Sequence, residues 1–358
     1  MRTRIAVGTR KGLWFFEQPA EGRAWRADGP HFLMREVPAV AWDGERVLVG
    51  VRSEHWGPTV ATSDDLGRTW QEPESGAIRF PEDTRVALER IWQIAPDPGR
   101  PGSVWAGCEP TSLWHSTDGG SSFALVRGLW DHPHRPQWAP GAGGAAVHTV
   151  LPHPDDDARV LVAMSTGGVY VTADGGASWR PSNRGVSAYF LPEPDPEFGQ
   201  CVHKVARDGS DPETYYLQNH HGVYRSTDGA ASWTSIAEGL PADFGFVMLA
   251  HPHRARTIWT VPLVADGERV PPGARLRAYR SDDGGDSWCD CSRGLPDHAW
   301  ISVLRDAADV TADHDGLATV VLGTRDGCVY ASHDDGERFE EVARHLPDVL
   351  SVRVARVP

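Results

Sequence analysis

An all-β, seven-bladed propeller closed by its own C-terminal strand is the fold this sequence predicts, and three observations predict it. One short phrase recurs six times at intervals of 51 to 56 residues. Strand-like runs flank every copy. The stretch 349–357 reads as a first strand with no repeat of its own, while 4–16 reads as a repeat that lacks its first strand. A fixed period of this size marks a repeat architecture.

The six copies are SDDLGRTW (63–70), STDGGSSF (116–123), TADGGASW (172–179), STDGAASW (226–233), SDDGGDSW (281–288) and SHDDGERF (332–339). Their shared pattern is Ser/Thr-x-Asp-x-Gly-x-Ser/Thr-Trp/Phe, with Ala230 replacing the glycine once and Arg338 the hydroxyl once. The chemistry is that of a hairpin turn. An Asp carboxylate accepts hydrogen bonds from N–H groups just downstream, and the glycine supplies a positive φ at no steric cost. The closing Trp or Phe anchors the next strand in an apolar layer. Asp65, Asp118, Asp174, Asp228, Asp283 and Asp334 are therefore read as structural.

Before each phrase comes a β-rich run ending in an aromatic, as in GVYVTADGG (168–176), GVYRSTDGA (222–230) and GCVYASHDDG (327–336). Upstream lies a second strand, such as RVLVAMST (159–166) or ATVVLGTR (318–325), and beyond it another: VHTVLPHP (147–154), VHKVARD (202–208) or ISVLRDA (301–307). With the strand that follows the phrase, each repeat holds four strands, the content of a propeller blade. RIAVGTRKGLWFF (4–16) matches the second and third strands of a repeat beside VVLGTRDGCVY (320–330), and Trp25 stands where the post-turn tryptophan belongs. Pairing of 349–357 with the N-terminal strands completes a seventh blade and removes the free sheet edges. One domain spanning 1–358 is expected.

The phrases resemble the Asp-box, or BNR, repeats of the sialidase-like and sortilin-like propellers, and the resemblance covers nearly the whole chain. It implies the propeller fold with Asp-box turns. Glycosidases, receptors and photosystem-assembly-factor-like proteins share these repeats, so function has to be argued from the site. The Arg-Ile-Pro signature of sialidases is absent, since Arg4-Ile5 is followed by Ala6.

A net charge of −14 with no basic cluster argues against nucleic acid or an anionic membrane as partner. No run is long and apolar enough to span a membrane. The start, MRTRIAVGTRKG, carries no apolar signal region and reads directly as a strand, so the expected compartment is the cytoplasm. The five cysteines lack a framework spacing and are expected to be reduced thiols; Cys289 and Cys291 are separated by one residue.

Propeller ligands usually sit on the face carrying the loops between second and third strands. Those loops hold Arg10 and Lys11; Arg52, Glu54 and His55; Cys108 and Glu109; Ser165 and Thr166; Asn219, His220 and His221; and Arg325 and Asp326. The loop at 263–276 is extended, and the interblade segments 128–144 and 184–200 are long, which suggests a partial lid or pocket wall. His148 and His203 occupy the same V-H-x-V position in adjacent repeats. With His220 they form a candidate metal set, because neutral imidazoles beside a carboxylate suit a divalent transition metal. His153, His251 and His253 fall in HP-type turns and read as structural.

These residues give the candidate assignments. Glu109, Glu54, His148 and His203 are candidate catalytic residues. Lys11, Arg52, His55, His220, His221, Arg325 and Asp326 are candidates for ligand binding. The first functional reading is a hydrolase- or lyase-like pocket for a small polar molecule, metal-assisted through His148, His203 and His220. The second is a glycosidase-like enzyme using rim carboxylates, Glu36, Glu54, Glu89, Glu109 and Asp326 among them, on a sugar. The third is a non-catalytic scaffold with a protein partner.

Overall fold

The computed structural model describes residues 2–19, 24–141, 143–165 and 167–358. The fold is a seven-bladed β-propeller. Blade one is the sheet Val349–Val357, Arg2–Thr9, Gly12–Gln18, Arg26–His31, in that spatial order. The two chain ends thus pair as antiparallel neighbours, from Arg2↔Val357 to Thr9↔Val349. Blades three to seven are four-stranded sheets whose strands follow one another in sequence. Their first strands are Arg90–Pro96, Val147–Pro152, Val202–Arg207, Phe244–Ala250 and Val303–Ala312. Blade two has three strands, Glu36–Asp43, Arg46–Ser53 and Gly57–Ser63, and its fourth position is reduced to the bridge Thr62↔Gln71.

The repeated phrase makes the turn its chemistry predicts. In the first copy Ser63 Oγ donates to Asp65 Oδ1 (2.8 Å), and the Gly67 N–H donates to Ser63 Oγ (2.7 Å). The Thr69 N–H and Oγ1 donate to the two carboxylate oxygens of Asp65 (2.8 and 2.7 Å). The same set recurs around Asp118, Asp174, Asp228 and Asp283. At Asp334, where Arg338 lacks a hydroxyl, only the backbone N–H of that residue donates. Ala230 adopts the positive φ (66°) that glycine supplies in the other copies. Hydrogen bonds from Thr69 hold the Asp65 carboxyl at about 2, and those from Ser178 hold Asp174 at about 2.

The chain divides into two compact units: Met1–His31, Arg184–Pro196 and His203–Pro358 form one, and Phe32–Asn183 with Glu197–Val202 the other. In the first unit the core runs through blades one, six and seven, with Ile5, Val7, Trp259, Val320, Leu322 and Val352 fully or almost fully buried. In the second, Leu48, Ile91 and Trp114 pack blades two and three, and Trp105, Val147, Val162 and Tyr170 pack blades three and four. Gly107 is needed in that unit because a Cβ on it would overlap the Val147 carbonyl of the next blade. No helix among the described residues is long and apolar enough to cross a membrane.

Candidate functional site

The second unit gathers charge at one end of blades two and three. Glu36 opens the first strand of blade two, and Arg52 lies opposite it near the end of the second. Arg90 and Glu109 stand opposite each other in blade three in the same way. Because the two blades pack side by side, Arg90 Nη2 reaches Glu36 Oε1 at 2.8 Å while Arg52 Nη1 lies 3.5 Å from Glu36 Oε2. The Arg90 guanidinium also sits 5.3 Å from the Trp92 ring, and the Trp92 indole N–H donates to Glu109 Oε2 at 3.0 Å.

Glu109 is fenced on its other side by segment 128–144. A Cβ on Gly144 (φ 100°) would overlap Glu109 Oε1, so the chain passes hard against the carboxylate only because that residue is glycine. The segment is well packed. Leu129, Trp130 and Trp138 are buried, and the Trp138 indole and the His134 ring each lie 3.0 Å from the Tyr170 hydroxyl. At the tip of the neighbouring hairpin, Glu54 and His55 are exposed and Trp56 is 90% exposed. Arg35 turns away to a bidentate pair with Glu72, at 2.8 Å for both bonds.

A second constellation lies in the first unit. His203 is buried, and its Nδ1 sits 2.6 Å from the Gly245 carbonyl. Burial, helped by Arg305, pushes this imidazole well below its ordinary range. The His220 ring centroid is 5.6 Å away, and His220 is also shifted down, by burial and by His221. Both long loops of this unit reach the pair. Asp266, from the extended loop of blade six, places Oδ2 at 3.5 Å from His220 Nε2. Phe190, from segment 184–200, packs its ring 5.5 Å from His220, and Tyr189 lies 5.4 Å from His221.

His203 and His220, both of this unit, bring two imidazoles together as metal donors. Asp313, His314 and Asp315 form a second such group at the surface. Either could contribute to holding a metal, and paired imidazoles suit zinc or copper.

The remaining expected residues are distributed more widely. His148 is fully buried in blade four, its Nδ1 3.3 Å from Thr149 Oγ1, and it belongs to neither ligand group. Lys11 is exposed in the turn of blade one, where its backbone N–H donates to Thr9 Oγ1. Arg325 shares Asp348 with Arg10, at 2.9 and 3.0 Å, and Asp326 accepts the Thr324 hydroxyl. Thr166 lies outside the described residues. Cys108 is fully buried, and burial pushes its thiol well up, which makes it inert. His251 is structural as expected, since its Nδ1 accepts from the N–H groups of His253 and Arg254.

Lys204 is held in an ion cluster. It pairs with buried Asp306 at 2.8 Å, and Arg353 joins the same carboxylate oxygen at 2.7 Å. Trp56, Trp92 and Asp266 were not singled out from sequence. Trp56 carried a usable signal, as a tryptophan directly before a glycine in a hairpin tip rather than after a turn phrase.

No protein-family model matches the chain. Among curated proteins, an oligoxyloglucan-reducing end-specific xyloglucanase of Emericella nidulans is 27% identical over 233 residues, 56% of this chain. Those residues span only 27% of that relative's length. Among solved structures, a protein from Lactobacillus plantarum superposes with a TM-score of 0.62 at 14% identity, covering 99% of this chain and 100% of that one. An ancestral GH74 enzyme gives 0.58 at 16% identity, over 89% of this chain and 38% of its own. YCF48 bound to D1 peptide gives 0.52 at 15%, over 85% and 81%. At such identities the likeness shows the fold alone, a seven-bladed β-propeller.

Proposed function

We propose that this protein is carbohydrate-active, taking a neutral oligosaccharide across the rim of blades two and three and cleaving it with Glu109 and Glu36. The observation that carries the reading is the interlocked set Arg52–Glu36–Arg90 and Trp92–Glu109, with Trp56 standing exposed on the adjoining hairpin. Carboxylates and guanidinium groups offer paired acceptors and donors to vicinal sugar hydroxyls. An exposed indole gives the apolar face of a sugar ring a platform, and the combination is what orients a ligand.

Glycoside hydrolysis needs two carboxyl groups, one protonating the leaving oxygen and the other activating water or attacking the anomeric carbon. The Trp92 indole and the Gly144 backbone fix Glu109, and Arg90 and Arg52 fix Glu36, so neither has to be ordered when a substrate arrives. Glu54 and His55 flank Trp56 and extend the binding surface. The xyloglucanase relative and the GH74 neighbours favour the glycan class and make xyloglucan oligosaccharides the first probe. The test is release of new reducing ends from a panel of neutral oligosaccharides. Glu109→Gln should lower turnover by at least about a hundredfold. Unchanged turnover in that variant, or no cleavage of any neutral glycan by the wild type, would reject the reading.

A second reading rests on the two long loops that converge on His203 and His220: metal-assisted transformation of a small polar ligand. Elemental analysis of the wild type and of a folded His203→Ala/His220→Ala variant decides it. About one equivalent of metal, lost in the variant, supports the reading; no metal in the wild type after reconstitution removes it.

A further inference from the structure

In every repeat, the residue directly after the turn phrase is exposed: Gln71, Ala124, Arg180, Thr234 and Glu340 in the other five. Two residues on, the chain turns inward, at Pro73, Val126, Ser182, Ile236 and Val342. In blade six these positions are Cys289 and Cys291. A buried cysteine suits the inward position as a small apolar residue. An exposed cysteine at the outward position has no packing role. Even so, the two sulfurs lie 3.3 Å apart. Cys289 Sγ–H also donates to the carbonyl of Arg280, the residue it faces across the strand pair, at 3.3 Å. Cys291 is held in place by its N–H bond to the Ala278 carbonyl at 2.9 Å, with only 2% of its surface exposed.

We propose that Cys289 and Cys291 are a dithiol–disulfide couple, a site of reversible oxidation by small-molecule disulfides of the glutathione class. A disulfide needs its sulfurs at about 2.05 Å, so closure moves them together by little more than about 1 Å. Cys289, the exposed sulfur, attacks the disulfide RSSR as its thiolate, forms the mixed disulfide Cys289–S–S–R and releases RS⁻. Cys291 then loses its proton, attacks Cys289 Sγ and expels the second RS⁻. Each RS⁻ takes up one of the two protons given up by the protein thiols. The balance is two protein thiols and RSSR giving one protein disulfide and two RSH. Burial, together with Cys289 alongside, pushes the Cys291 thiol up to about 12, which makes Cys289 the entry point and Cys291 the resolving group. The loop closed is minimal, so the bond adds little to global stability and is easily reduced. The couple is independent of the glycan reading.

The sequence supplies a clean readout, because cleavage after Arg280 and Arg293 releases SDDGGDSWCDCSR (281–293), which holds both cysteines and none of the other three. Native protein treated with oxidised glutathione, acid-quenched, alkylated and digested should yield this peptide lighter by two hydrogens, and dithiothreitol should restore it. A peptide that stays reduced, or stops at a stable glutathione adduct on Cys289, would overturn the proposal. Cys291→Ala should accumulate that adduct; an unmodified Cys289 in the variant counts against the assigned entry point. In glutathione buffers, the native pair should reach half-oxidation at a ratio of oxidised glutathione to the square of reduced glutathione at least about tenfold lower than the isolated synthetic peptide. Equal midpoints would show that the fold does not preorganise the thiols.

Discussion

Replacing Asp306 by asparagine removes the carboxylate that two cations contact in a buried charge cluster joining three blades of the first unit, where Asp309 stands by as a second acid. Lys204 on blade five and Arg353 on blade one both donate to Asp306 Oδ1, at 2.8 and 2.7 Å, with side-chain exposures of only 11%, 15% and 4% for the three residues. Each bond is charge-assisted, worth about 1.5–3 kcal/mol in such a setting. Breaking a buried pair by removing one partner costs about 3–5 kcal/mol, because the abandoned cation stays desolvated. The asparagine oxygen still accepts one bond, so the lower part of that range, about 3 kcal/mol, is expected. Urea unfolding measures it: with an m value of about 3 kcal/mol/M, the midpoint should fall by about 1 M at unchanged m.

The same variant tests the electrostatics. Burial raises the Asp306 carboxyl, but Lys204 and Arg353 outweigh it and hold the group below its ordinary value. A depressed carboxylate contributes stability that is complete above its unfolded value, about 3.9, and is lost as pH falls through the lower folded value. Asp306→Asn should therefore narrow its gap to the wild type in acid. A loss under about 1 kcal/mol at neutral pH, or a gap independent of pH below 4, would refute a desolvated ion cluster.

Gly144→Ala should drive Glu109 off the Trp92 indole while costing about 1–2 kcal/mol for the positive φ, and a shifted Trp92 indole N–H resonance would report it. An unmoved resonance would mean that the segment does not fence the carboxylate. In the turns, the Asp174 side-chain carbon should titrate near 2, well below a free aspartate. With its folded value depressed, Asp174 stabilises the fold above about 3.9 and loses that contribution as pH falls through about 2; an ordinary midpoint would contradict the turn geometry.

The turns and blades were legible because each repeat carries its own instruction. Asp and Gly specify the hairpin locally, and the likeness of 4–16 to 320–330 revealed where the N-terminal blade was missing a strand. Blade two shows where local reading stops, since its turn phrase is intact while its fourth strand shrinks to one bridge at Gln71. Arg52 and Glu109 were read as loop residues but sit near the ends of second strands, and the Arg90–Glu36 pair depends on the register of two blades and their packing. Trp92 and Trp56 were passed over because tryptophan ordinarily reads as core, and one proved a carboxylate donor and the other a solvent-exposed side chain. The V-H-x-V likeness marked His148 and His203 as the same position of adjacent repeats, and both side chains are buried. It could not show that Asp266 and Phe190, from distant loops, would close on His220.

The most direct test of the glycan reading is a titration of ¹⁵N-indole-labelled protein with neutral xyloglucan oligosaccharides, repeated on Trp56→Ala and Glu109→Gln. Saturable shifts of the Trp56 and Trp92 indole N–H signals, with at least about tenfold weaker binding when Trp56 is removed, are expected from an aromatic platform worth roughly 1.5 kcal/mol. Saturation that leaves both signals unmoved, or no binding to any neutral oligosaccharide, would contradict a sugar site on this rim.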